Sequence, residues 1–84
     1  MLVVLAFLTY RQSGMYQNAE RLWRTTIARS PNSGMAHNNL GLALAQQGRL
    51  DVAAGHFREA VRLRPDFRDA HSNLARAQAE LARR

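Results

Sequence analysis

Eighty-four residues without a cysteine make one small domain at most, and they exclude a disulfide framework or a thiolate metal site. The formal charge of +6 comes from twelve arginines and no lysine, scattered from Arg11 to Arg84 rather than gathered in one run. That spacing lacks the concentrated basic footprint of a nucleic-acid binder, so no nucleic acid is expected as a partner; arginine without lysine in an alanine-rich chain points to a GC-rich bacterial genome.

In chain order, the first predicted helix covers about 2–13. Met1 to Tyr10 are nearly all apolar. The stretch is shorter than the roughly twenty residues that cross a bilayer, and it lacks the basic start and small-residue cleavage site of a signal peptide. Two compatible readings stand: a buried helix of the domain, or the end of a membrane segment belonging to a longer parent chain. Leu2, Val3, Val4, Leu5, Phe7 and Leu8 surround this helix almost completely. One neighbouring helix covers a single side, leaving an apolar patch of the kind that marks an interface. Self-association through residues 1–15, carried by Leu2, Val4, Leu5, Phe7 and Leu8, is therefore expected unless the parent chain or a membrane covers them.

A second helix is predicted over 16–30 and ends before Pro31. Asn32 or Ser33 can then cap a third helix over 34–47, since a short polar side chain accepts from the free amides of the first turn. Gly48 can end that helix in a left-handed conformation. Asp51 begins a fourth helix over 51–64, its carboxylate suited to the positive end of the dipole. Pro65 stops it, because proline lacks the amide proton and its ring clashes with the preceding turn. Asp66 can cap a fifth helix over 68–83. No stretch alternates apolar and polar with a period of two, so no strand is predicted.

One interval recurs. Pro31 and Pro65, His37 and His71, Asn39 and Asn73, Leu40 and Leu74, Gly14 and Gly48, and the aromatics Trp23 and Phe57 all stand 34 residues apart. Within the unit, Ala36, Leu40, Ala43 and Leu44 fall on one helical face, and Ala53, Phe57, Ala60, Val61 and Leu63 on another. Gly41 and Ala53 are small where two helices would cross closely, and Phe57 is large enough to fill the space between them.

His37-x2-Leu40-Gly41-x2-Leu44, then Ala53-x3-Phe57, Ala60 and Pro65, resembles the tetratricopeptide repeat, with histidine in place of its tryptophan and leucine in place of its tyrosine. The resemblance implies an all-α fold, an α-α superhelix of stacked helix pairs. It divides a single domain, 1–84, into a degenerate first repeat (1–33), a complete repeat (34–67) and a terminal helix (68–84). The first repeat matches in Ala19, Trp23 and Pro31, but Ala6-Phe7 stands where Leu40-Gly41 stands. A lone last helix is how such arrays commonly end, since it covers the apolar face of the pair before it. The segment from Leu8 to Gln12 through Ala19 to Thr25 is also similar to the junction of bacterial multi-spanning membrane proteins that carry these repeats, which implies a membrane-attached parent.

What the resemblance implies for function is a protein- or peptide-binding scaffold whose first helices line a concave groove. The lining residues are then Asn38, Asn39, Leu42, Ala45 and Gln46 from one helix, and Asp69, Ser72, Asn73, Arg76 and Glu80 from the next. Asn39 and Asn73 are the leading pair, because a carboxamide both donates and accepts and so can hold a peptide amide from two sides. This is similar to the asparagine ladders of peptide-holding members of the family; Leu5 occupies the rung one repeat earlier, and the alternative is that these asparagines tie adjacent helices together. The family's carboxylate clamp is not expected: Val4, Leu8, Asp69 and Asn73 replace its polar and basic residues, and Asn39 alone fits.

Other chemistries are weak. His37 and His71 would lie about 10 Å apart on neighbouring helices, too far to share a zinc ion that needs three or four converging ligands. They are read as packing residues in the motif's aromatic slot, and His56 as an isolated, exposed side chain. Glu20–Arg24 and Arg76–Glu80 have the spacing of helix-face ion pairs, and no pair of carboxylates presents itself as acid and base. No catalytic residue, metal or cofactor is expected. Two rival functions remain: a self-assembling structural module, and an accessory domain of a membrane glycosyltransferase-like enzyme.

Overall fold

The computed structural model describes residues 18–84. The helix expected over 2–13, and with it the apolar self-association surface, lies outside the described residues. The described residues are helical and contain no strand: α1 (18–29), α2 (Gly34–Gln46), α3 (Leu50–Leu63) and α4 (Arg68–Ala82). The last three fall within one residue of their predicted bounds, and α1 ends one residue before its predicted end. Helix α3 packs against both α2 and α4, and α2 also touches α4.

The boundaries follow from local chemistry. Ser33 is the N-cap of α2, its Oγ accepting from the Ala36 amide at 3.1 Å. At the other end Gly48 takes φ +81°, its amide donates to Ala45 O at 2.9 Å, and the Arg49 amide donates to Leu44 O at 3.0 Å. That pair of bonds is a Schellman motif, which needs a residue free of Cβ at the left-handed position. Asp51 lies in the first turn of α3 as expected. The expected cap at Asp66 is not formed: α4 begins after Phe67, and no side chain bonds its free amides. The geometric reason is register. The turn places Phe67 where the previous repeat has Ser33, so Asp66 sits one residue too early, and the Phe67 ring instead lies under the Arg64 guanidinium at 4.8 Å.

The core keeps most of the predicted residues and adds Ala54 and Ala77. Leu40, Leu44, Ala53, Ala54, Phe57 and Ala77 form a single buried cluster, with Trp23 and Ile27 of α1 packed on its flank. Phe57 and Gly41 fit as bulk and gap: a Cβ built on Gly41 would stand 2.5 Å from the Phe57 Cε1. The missing side chain is what lets α2 and α3 close over the ring. Fully burying a side chain of this size contributes roughly 1.5–3 kcal/mol. Val61 and Leu63, expected inside, are half-buried at the edge of the same face.

Candidate functional site

Helices α2 and α4 stand side by side with α3 behind them, and the trough between them holds the residues singled out in the sequence. One end is a polar hollow of about 300 Å³, with Asn38, Asn39 and Leu42 on one wall and Asp69, Ser72 and Arg76 on the other. It runs into a smaller hollow of about 180 Å³ whose floor includes Phe57 and Ala77 and whose rim carries Gln46 and Glu80. Leu42 is 36% exposed and forms the apolar crest shared by both.

The asparagines play unequal parts. Asn73 is buried; its Nδ2 donates to Asn38 Oδ1 at 2.9 Å, and its Oδ1 accepts from an Arg76 guanidinium N–H at 2.9 Å. Asn38 is buried as well. The two first helices are thus joined by an amide–amide bond extended to an arginine. Asn39 is half-buried and lines the hollow, as do the exposed Leu42, Gln46 and Arg76. The sequence could name the 34-residue spacing of Asn39 and Asn73 but could not foresee that Asn38, 35 residues before Asn73, is the one its amide reaches. That is decided by the stagger between helices, which no periodicity reports.

The expected Arg76–Glu80 pair is absent. Arg76 turns to Asn73, and Glu80 pairs with Arg83. The Glu20–Arg24 pair forms at 2.8 Å, and Glu20 gains two partners the sequence did not suggest: Gln47 at 2.9 Å and Arg49 at 3.4 Å. The hydrogen bond from Gln47, then that from Arg24, hold the Glu20 carboxyl below its usual range. This tie fastens α1 to the turn between α2 and α3, 27 residues on.

The histidines also differ from expectation. His37 is buried and its Nε2 meets Pro31 O at 3.1 Å; His71 Nε2 meets Pro65 O at 2.8 Å, the same bond one repeat later. His71 is exposed, since no described helix covers that side of α4. His56, expected alone and exposed, is half-buried, with its Nδ1 3.2 Å from His37 Nδ1. The helix period brings His56 onto the α3 side facing α2, a contact across the hairpin that a scan for 34-residue partners misses. The 3.2 Å separation is within hydrogen-bond range for two ring nitrogens. Among the described residues no three metal-ligating side chains converge, and no described helix is long and apolar enough to cross a membrane.

The tetratricopeptide repeat family model matches residues 4–66 and again 48–83. The chain belongs to the tetratricopeptide repeat family. Similar proteins are a protein O-mannosyl-transferase of Drosophila melanogaster, 35% identical over 73 residues, or 87% of this chain and 8% of that protein; protein arginine N-methyltransferase 9 of Mus musculus, 37% identical over 71 residues, 84% of this chain and 8% of that protein; and a TPR repeat-containing thioredoxin of Arabidopsis thaliana, 39% identical over 80 residues, 89% and 12%. This tetratricopeptide chain therefore spans about a tenth of the length of these relatives.

Proposed function

We propose that the chain is a protein-binding repeat whose α2–α4 trough receives an extended peptide, with no chemistry of its own. The observation that carries this is the pairing of an open, half-buried carboxamide, Asn39, with an exposed apolar crest, Leu42, on one wall of a continuous groove. An extended peptide presents a main-chain amide to the first and a side chain to the second. Asn73 supports the reading from behind: its bonds to Asn38 and Arg76 fix the distance between the walls. Three of the six carboxylates, Glu20, Glu59 and Glu80, are each held by an arginine, which supports a structural role for them over a catalytic one.

Screening the chain against an array of extended peptides tests this. Saturable binding that weakens in Asn39→Ala and Leu42→Ala, with the fold intact by circular dichroism, is the expected result. Binding unaffected by both substitutions would place the partner elsewhere on the surface.

A second reading, an accessory domain within a larger enzyme, is favoured by the similarity to a transferase that these repeats match over only 8% of its length. An immunoblot of the source cells tests it: a band far above that of an 84-residue chain supports it, and a band at that size removes it.

A further inference from the structure

His37 and His56 meet in a way that no other pair in the described chain does. Their ring planes differ by 25°, and the centroids lie 5.4 Å apart while the two Nδ1 atoms are only 3.2 Å apart. An imidazole N–H lies in the ring plane, so a face-to-face stack would aim it past its neighbour; here the rings meet edge to edge, nitrogen toward nitrogen. The protonation pattern follows from the third partner. Pro31 O can only accept, so His37 Nε2 carries a proton. In the neutral ring, His37 Nδ1 is then a lone pair, and His56 must donate to it from Nδ1–H.

We propose that this pair is a proton-operated latch on the α2–α3 hairpin: one proton shared between the two Nδ1 atoms holds it closed, and protonation of both rings opens it. A first added proton leaves a donor on one side and an acceptor on the other, so the bond survives as an imidazolium–imidazole pair. A second leaves two N–H donors and two positive charges face to face, and no arrangement of tautomers restores a bond.

The charged surroundings are few. Arg24 approaches from α1, and Glu59, itself bonded to Arg62, lies on α3 one turn from His56. Burial, then the His37 ring and Arg24, push His56 below the ordinary histidine value, and Glu59 only partly opposes them. The folded chain thus keeps this ring neutral where the unfolded chain takes up a proton, beginning near pH 6.5. The unfolded state binds more protons below that pH, so stability falls as pH falls through this window. His71 is the built-in comparison: it makes the same bond to its proline carbonyl, at 2.8 Å, with no second imidazole among the described residues.

Two measurements on the 84-residue chain test the latch. Long-range proton–nitrogen NMR at pH 7 should show His56 in the Nδ1–H form and His37 in the Nε2–H form. Thermal melts at pH 7 and pH 5 should show a drop in Tm for the native chain and for His71→Asn. His56→Asn, whose amide N–H donates to His37 without titrating, should show a smaller drop. An Nε2–H His56 at pH 7, or a drop in His56→Asn as large as in the native chain, would overturn the proposal.

Discussion

Toward α3, helix α2 presents Leu40, Gly41 and Leu44 to the Phe57 ring; toward α4 it presents Asn38, Asn39 and Leu42 to Asn73 and Arg76. On the first side contact, the His37–His56 bond apart, is apolar and set by the absence of one Cβ. On the second it is a hydrogen-bonded chain beside an open trough. Dispersion and burial do not depend on direction, so the first side can hold the hairpin but cannot tell one partner from another. Amide bonds are directional and individually modest, so the second side adds less to stability and can discriminate. On the proposed reading, one helix thus separates holding the fold from meeting a partner by which stripe of its surface a residue occupies.

The largest test of that division is Phe57→Ala. Emptying the ring's site should cost about 3–5 kcal/mol, enough to unfold much of a small domain, read as a loss of urea midpoint. A cost below 1 kcal/mol would mean that α2 and α3 are held by something other than the ring. Next comes Gly41→Ala, expected to cost about 1–3 kcal/mol, because the added methyl overlaps an aromatic ring that is itself fully buried. Across the helix, Asn73→Ala should cost about 1–3 kcal/mol by leaving the buried Asn38 oxygen without a donor, whereas Asn39→Ala should stay within about 0.5 kcal/mol. Equal effects for the two asparagines would erase the distinction between the tie and the open rung. Ser33→Ala should cost about 1 kcal/mol through loss of the α2 cap, a check on the helix that both faces share.

The architecture was legible because the repeat writes itself along the chain: Pro31 and Pro65 mark the turns, Gly48 the left-handed residue, and Gly41 with Phe57 the close crossing. Features that depend on the stagger between helices were not. Asn38–Asn73 and Glu20–Gln47 each join residues whose separation matches no helical period, and His37–His56 joins a repeated residue to an unrepeated one. Asp66 shows the same limit at a cap: composition placed an aspartate near the start of α4, but one residue of register moved the cap to Phe67.

The central claim is that α2's polar stripe, and not its apolar one, meets the partner. Residue-resolved NMR during titration with a peptide selected from the array tests it most directly. Shifts confined to Asn39, Leu42, Gln46, Asn73 and Arg76, with the outer face of α3 around Arg58 and Arg62 undisturbed, are predicted. Shifts centred on Arg58 and Arg62 with Asn39 and Leu42 silent would contradict it.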